Sequence, residues 1–423
     1  VFLPPSLTKF SPEFMADMPF MPAIFGKFIQ IFEVNGLRTY DGKSFSYPSL
    51  KPVRIVRTPI KHVKTVIARG HSAGKVAKEI AGKLGLSKFL IDWRKVKNLN
   101  RKNVIALAST AGNPNQALLE TAVMIYNLRR KGAGLLRVAL LLWPYARQER
   151  TDNNRVPLSA AVAGMILNYF RPKAIMTQDL HQPAIQGFGY TTPVETIYST
   201  ALFAAKIAQL IKENNLKPED IYIGAVDRGA IGRATQLRLH LKKNHGIDIS
   251  EDIPTVDKRR DRNGKSQTKS ISHRNKLKGK IMFFVDDMTD SGGTFEGAAE
   301  AAKAAGARRV IAFVTHVVSS VNPATGMLNM AKLEHSKHLD ALIGLDTVAD
   351  LTPEMQQLSK IDIMSNSAWL AQNIREWAWW LKKDHENASL KNLNDNSMPE
   401  PPRLREPVER HLRNILQPDT LAA

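Results

Sequence analysis

The stretch Ile281–Thr294, IMFFVDDMTDSGGT, most constrains what this chain can fold into. Ile281 to Val285 is a continuous apolar run that reads as a strand and stops on two adjacent carboxylates, Asp286 and Asp287. A short turn rich in Asp, Ser, Gly and Thr follows, and then an Ala-rich helical stretch from Phe295 to a glycine stop at Gly306. In an open α/β sheet ligands sit beyond the carboxyl ends of the strands, so these acids lie where chemistry is expected. The backbone N–H groups of Ser291, Gly292, Gly293 and Thr294 open toward an anion at the helix N-terminus, where dipole and unpaired donors favour phosphate. Phosphate alone does not explain Asp286, Asp287 and Asp290 in the same loop. A sugar phosphate does: the loop amides hold the phosphate, and the acids hold ribose hydroxyls or magnesium. Taken generically, an ordinary strand–loop–helix capped by Asp and Ser is an equally good account.

The surrounding chain repeats the strand–helix pattern. KTVIA reads as a strand and HSAGKVAKEIAGKLG as an amphipathic helix closed by glycine. Strand Asn103–Thr110, helix Asn115–Arg130, strand Leu135–Trp143, helix Pro157–Tyr169 and strand Lys173–His181 follow. The unbroken apolarity of Leu135–Trp143 predicts a parallel strand covered on both faces. A second cycle runs through helix Thr200–Asn214, strand IYIGAV, helix Gly232–Lys243, a strand ending at Val256, and the strands at Ile281, Val310–His316 and Ala341–Asp346. This predicts an α/β fold in two consecutive halves, 61–197 and 198–366, divided near Ile197. In residues 1–60, Asn35-Gly36 and Asp41-Gly42 separate alternating runs and predict a small β meander. A C-terminal helix is expected within 367–383, where Trp377, Trp379 and Trp380 give it an apolar surface, and a loose polar tail over 384–423.

Composition narrows the class. With 423 residues there is length for two domains and real cores. Zero cysteines exclude disulfides and thiolate metal sites and fit a reducing cytosol, so a cytoplasmic protein is expected. No run reaches the length of a membrane span. VFLPPSLTKFSPEFM lacks a basic start followed by an apolar core, so no secretory leader is expected, and the opening Val1 leaves the natural start open. The formal net charge of +21 admits nucleic-acid binding, but Lys and Arg are scattered rather than gathered with aromatics into a platform. A basic protein that handles polyanionic small molecules is the plainer account.

Four further segments sit at strand ends. Trp143–Arg150, WPYARQER, offers Arg147 and Arg150 as planar cations for phosphates and Gln148 for an adenine edge, against a plain solvated turn. Gln178–Phe188, QDLHQPAIQGF, puts His181 just past a strand end, where it could ligate a metal-bound phosphate group or simply be structural. Ala225–Ala234, AVDRGAIGRA, offers Asp227 to a metal and glycines for close backbone approach, against an ordinary strand-to-helix turn. Val256–Lys269, VDKRRDRNGKSQTK, reads on its own as a charged loop between strands.

Taken together these segments resemble the ribose-phosphate pyrophosphokinase family. VDDMTDSGGT is similar to the ribose 5-phosphate loop that this family shares with type I phosphoribosyltransferases. WPYARQER resembles the family's PYARQDR, with Glu149 in place of Asp, and QDLHQPAIQGF its DLHAPQIQGFF, a segment that phosphoribosyltransferases lack. AVDRGAIGRA is similar to SPDHGGVTRA, with Arg228 and Ala230 as departures. The resemblance spans roughly Val63 to Trp377 and implies two tandem type I phosphoribosyltransferase-like domains, ATP in the first and ribose 5-phosphate in the second. It implies transfer of the β,γ-diphosphoryl group of ATP to the C1 hydroxyl of ribose 5-phosphate, with Mg2+ as cofactor and a homo-oligomeric assembly. By the same resemblance, Arg147, Gln148, Arg150 and His181 bind ATP, and His181 and Asp227 organise Mg2+. Asp286, Asp287, Asp290 and Ser291–Thr294 bind the sugar phosphate. Lys258 and Arg260, on a loop resembling the family's mobile one, act with His181 in catalysis. The main departure is the family's R-F-x-D-G-E adenine flag, whose place is taken by a shortened segment around Lys95–Asn98, with Asp92 and Trp93 left to substitute. The alternatives are a non-catalytic regulatory paralogue and a phosphoribosyltransferase.

Overall fold

An apolar run without a polar face must be covered on both sides, and the computed structural model sets these runs in two parallel sheets. It describes residues 65–70, 73–110, 113–151, 157–260, 266–318, 322, 327–348, 353–378 and 399–417. All of them fall in the unit Lys61–Ala423. The first half comprises β1 (Thr65–Arg69), α1 (Gly74–Lys83), β2 (Leu90–Asp92), β3 (Asn103–Ala108), α2 (Pro114–Arg130), β4 (Leu136–Leu140), α3 (Ser159–Tyr169), β5 (Ala174–Gln178) and β6 (Val194–Ile197). Its strands pair in the order β2-β1-β3-β4-β5-β6, all parallel.

The second half begins with α4 (Thr200–Glu213), β7 (Ile221–Ala225), α5 (Ile231–His245), β8 (Val256–Arg260) and β9 (Ser266–Ile271). It continues with β10 (Ile281–Thr289), α6 (Gly293–Ala304), β11 (Arg309–Val317), β12 (Ala341–Leu345) and β13 (Ile361–Met364). Strands β13-β12-β11-β10-β7 form a parallel sheet, and β8 and β9 an antiparallel pair apart from it. The chain closes with α7 (Ser367–Trp377) and α8 (Glu406–Leu416).

Local chemistry explains where the helices begin and end. Asn113 caps α2 by accepting from the N–H groups of Asn115 and Gln116, and Pro114 follows where no N–H is needed. Gly246, at φ 68°, ends α5 in the left-handed conformation that a side chain disfavours. Strand alternation then sorts the first sheet's residues into two cores. Val66, Val104, Val138 and Leu140 pack with α2 and α3 residues such as Ile125 and Leu167. Ile67, Ile105 and Leu107 pack with α1 and with Leu370, Ala371, Ile374 and Trp377 of α7. Helix α7, which follows the last strand of the second sheet, therefore covers a face of the first. The Trp377 indole N–H donates to Glu195 at 2.9 Å, and the Arg137 guanidinium lies 4.8 Å over its ring.

Several expectations need correction. The segment expected as a charged loop from Val256 is a β hairpin, with a register irregularity between Asp257 and Lys258. Its two strands form a sheet separate from the main one, and residues 261–265 between them lie outside the described residues. Strand β10 runs past Asp286 and Asp287 to Thr289, so the acids are strand residues rather than loop residues. Within the C-terminal segment 367–383, Ser367–Trp377 is helical, and residues 379–383 lie outside the described residues. The polar tail is not loose throughout: α8 buries Val408, Leu412 and Leu416 at fourfold spacing against the second core. The expected β meander over 1–60, the loop residues 152–156, and Trp379 and Trp380 lie outside the described residues. No described helix is long and apolar enough to cross a membrane.

Candidate active site

The edge geometry of β10 creates the site. Its pairing with β7 ends at Val285–Ala225, while its pairing with β11 continues to Thr289–Val317. From Asp286 onward one side of the strand is therefore free of the sheet, beside the loop that carries Asp227. Arg233, near the start of α5, reaches both acids: 3.7 Å from Asp286 Oδ1 and 3.6 Å from Asp287 Oδ1. The same guanidinium donates to the carbonyls of Leu180 at 3.0 Å and His181 at 3.2 Å, which ties the loop after β5 to the acids. Across that junction His181 Nδ1 lies 2.9 Å from Asp287 Oδ2. The imidazole is thus oriented by a carboxylate, the arrangement that fixes a histidine's tautomer and leaves its other edge for a ligand.

The two acids differ in electrostatics. Burial and the neighbouring Asp287 charge push the Asp286 carboxyl well above the usual carboxylate range. For Asp287 burial acts in the same direction, but the His181 hydrogen bond and the Arg233 charge overcome it and hold this carboxyl below its ordinary value. Burial opposes the charge of Arg233 as well, yet Asp287 and Asp286 outweigh it and raise its pKa. Burial and charge therefore separate the pair, favouring the protonated form at Asp286 and the charged form at Asp287.

Beyond Thr289 the chain turns into α6. Asp290, Ser291, Gly293 and Thr294 are exposed, and no side chain fills the helix N-terminus. Gly292 has φ 76°, and a Cβ there would lie 2.4 Å from Leu333 Cδ1, so only glycine fits this turn. The cradle of amides is open to an anion.

Of the remaining predicted residues, Asp227 follows β7, Arg147, Gln148 and Arg150 follow β4, and Lys258 and Arg260 stand on β8. Asp227 accepts from the Gly229 N–H at 3.0 Å, and its charge acts on both Arg233 and Asp286. Arg147 and Arg150 are exposed on the loop after β4, in the first half, with Arg150 Nε 3.8 Å from Glu149. Gln148 is held through its backbone to Tyr145 and Ala160. Lys258 and Arg260 stand on β8, where Asp257 pairs with Arg228 at 3.6 Å. Trp93 does not present itself as a substitute for the adenine flag: it is 9% exposed and packed in the core.

Among the described residues no three His, Asp or Glu side chains converge on a common ion position. A magnesium ion keeps several waters and takes one or two protein ligands together with substrate phosphates. His181, through its outward ring edge, and Asp227 are the donors suited to share it.

The sequence reading missed Arg233, although it stands in AVDRGAIGRA, six positions after Asp227. It also missed a buried polar bridge between the halves. Asp179 accepts from Thr315 Oγ1 at 2.5 Å and from the Ser199 N–H at 3.0 Å. His316 Nε2 lies 2.9 Å from the Gln178 carbonyl, and its Nδ1 2.8 Å from Thr347 Oγ1. Polar pairs at strand ends, Gln178-Asp179 and Thr315-His316, were the available signal.

Two family models match successive parts of the chain. Residues 65–169 match the N-terminal domain of ribose phosphate pyrophosphokinase, and residues 193–337 the phosphoribosyl transferase domain. A ribose-phosphate pyrophosphokinase from Vibrio cholerae is 35% identical over 280 residues, 66% of this chain and 82% of the relative. The Pasteurella multocida protein of that name is 32% identical over 280 residues, 66% of this chain and 82% of its own. In fold, the crystal structure of phosphoribosylpyrophosphate synthetase from Mycobacterium smegmatis superposes with a TM-score of 0.61 at 23% identity, covering 75% of this chain and 99% of that one. With the acid pair, its glycine turn and both halves thus matched, the chain belongs to the ribose-phosphate pyrophosphokinase family.

Proposed function

We propose that this chain is a ribose-phosphate diphosphokinase, which transfers the β,γ-diphosphoryl group of ATP to the C1 hydroxyl of ribose 5-phosphate. One observation carries the reading: His181 of the first half meets Asp287 of the second at 2.9 Å, joining the nucleotide half to the sugar half. In this scheme the amides of Ser291–Thr294 hold the 5-phosphate, and Asp286, Asp287 and Asp290 hold the ribose hydroxyls. Arg147, Gln148 and Arg150 hold the nucleotide. His181 and Asp227 would hold Mg2+, which when bound spreads charge from the phosphates. The C1 hydroxyl oxygen attacks the β-phosphorus and releases its proton to solvent, the bond from that phosphorus to the α,β-bridging oxygen breaks, and AMP leaves with that oxygen as phosphoribosyl pyrophosphate forms. Lys258 and Arg260 stabilise the charge on the equatorial oxygens. Positioning supplies most of the rate, as in other phosphoryl transfers. Action in the cytoplasm as a homo-oligomer belongs to the same reading.

The burial of Trp93 favours one second reading, a regulatory paralogue with no adenine flag. Measuring AMP release separates the cases. AMP formed only when ATP and ribose 5-phosphate are both present supports the enzyme. Binding of either without turnover, alone or mixed with a catalytic homologue, supports the paralogue. Consumption of phosphoribosyl pyrophosphate with a nucleobase would mean a phosphoribosyltransferase.

A further inference from the structure

The phosphate cradle rests on a turn that the reaction scheme does not use. Below Gly292 lies Leu333, within the helical turn Asn329–His335, and the chain then runs through Ser336, Lys337 and His338. Ser336 and His338 meet Glu296, the acid in the first turn of α6. Ser336 Oγ donates to Glu296 Oε2 at 2.5 Å. His338 Nδ1 lies 3.1 Å from Glu296 Oε1 and, facing a carboxylate that only accepts, must carry the proton. Ser336 is itself oriented, because its oxygen accepts from the backbone N–H groups of His338 at 3.1 Å and Leu339 at 2.8 Å. Its one hydroxyl proton is thereby aimed at Glu296. Lys332, His335 and Lys337 border the same hollow of about 320 Å³.

An acid in the first turn of a helix is drawn to the N-terminal amides, by the dipole and by their unpaired donors. Left to itself, Glu296 would compete with an incoming phosphate for the amides of the cradle and would repel it. Here both of its oxygens are engaged on the far side, and no side chain caps the helix. We propose that Ser336 and His338 are positioning residues that hold the Glu296 carboxylate off the N-terminus of α6 and so keep the phosphate cradle open. The proposal rests on the sugar-phosphate reading of that loop and adds residues outside it.

Calorimetric titration of ribose 5-phosphate into the full chain tests this. His338→Ala weakens sugar-phosphate binding about three- to tenfold, the range expected for a charge at a helix terminus. ATP affinity and kcat stay unchanged. His338→Asn, whose amide nitrogen mimics Nδ1, keeps most of the affinity. Glu296→Gln restores it in the His338→Ala background, which a merely structural role for His338 would not allow. Equal weakening in the single and double variants, or no weakening at all, overturns the proposal. Should His338→Ala fail to fold, Glu296→Ala alone decides: it must bind the sugar phosphate at least as tightly as the parent, and weaker binding refutes the idea. Because binding is read rather than turnover, a chain that binds ribose 5-phosphate but forms no AMP defeats the proposed reaction and leaves this inference standing. A chain that binds none defeats both.

Discussion

At the scale of single residues, the acid pair on β10 sets function against stability. Asp286 is pushed upward by burial and by Asp287, so the fold favours its protonated form. Above the ordinary carboxylate pKa of about 4 the unfolded chain gives up this proton more readily than the folded chain, and stability falls as pH rises toward the raised folded value. Asp287, held below its ordinary value, contributes in the opposite sense and withdraws its contribution only in acid. Asp286→Asn removes the first effect. Its stability advantage over the parent, measured by denaturant unfolding without ligand, should grow from pH 5 to pH 8 and reach about 1–2 kcal/mol, the scale of an uncompensated buried polar group. The same change should abolish ribose 5-phosphate binding. If the variant is less stable at pH 8, the two acids do not repel each other as described. Lys258 makes the contrary case, since its proposed contact is with the transition state. Lys258→Ala should lower kcat about 100-fold or more and leave substrate affinities within about twofold. Surviving turnover would reject its proposed contact with the transition state.

At the scale of elements, what was legible depended on whether a segment's burial could be inferred from itself. The strands at Asn103, Ile221, Ile281 and Ala341 announce themselves because an unbroken apolar run fits nowhere but the middle of a covered sheet. Strands β2, β6 and β13 carry Asp92, Glu195 and Asp362 and were not foreseen. Likewise the His181–Asp287 contact joins residues 106 apart in sequence, so each motif was readable but their meeting was not. Helix α8 was missed because its apolar stripe of three residues is diluted by charge, and because its anchor is a polar one. Arg405 donates through Nε to Asp362 Oδ1 at 2.8 Å and through its backbone N–H to Oδ2 at 2.7 Å, and its guanidinium also reaches the carbonyls of Gln356, Leu358 and Ile361. Asp362 is 1% exposed, so removing its cation strands a buried charge. Arg405→Ala should therefore cost about 3 kcal/mol in unfolding free energy, whereas Arg410→Ala, which breaks an exposed pair with Glu406, should cost less than about 0.5 kcal/mol. Similar losses for both would mean that the segment 399–417 is not docked through Arg405.

At the scale of the whole molecule, the net charge of +21 stands against a local acidic centre where Asp287 and Asp227 carry the charge. Under the proposed function the basic excess serves capture of an anionic substrate and the acids serve the bound geometry, two roles that different kinetic constants read. Steering by net charge is screened once the Debye length shrinks from about 10 Å at 0.1 M salt, whereas contacts within the closed site are screened far less. Raising sodium chloride from 0.05 to 0.3 M should lower kcat/KM for ribose 5-phosphate about three- to tenfold and leave kcat within about twofold. Sulfate matched for ionic strength distinguishes screening from occupation of the cradle. Screening alone makes the two salts equivalent, while competition at Ser291–Thr294 makes sulfate the stronger inhibitor by raising KM further. Binding of free ribose, which carries no charge, should not respond to either salt. If kcat/KM for the sugar phosphate is equally indifferent, the basic surface plays no part in collecting substrate, and its purpose must be sought in a larger polyanion instead.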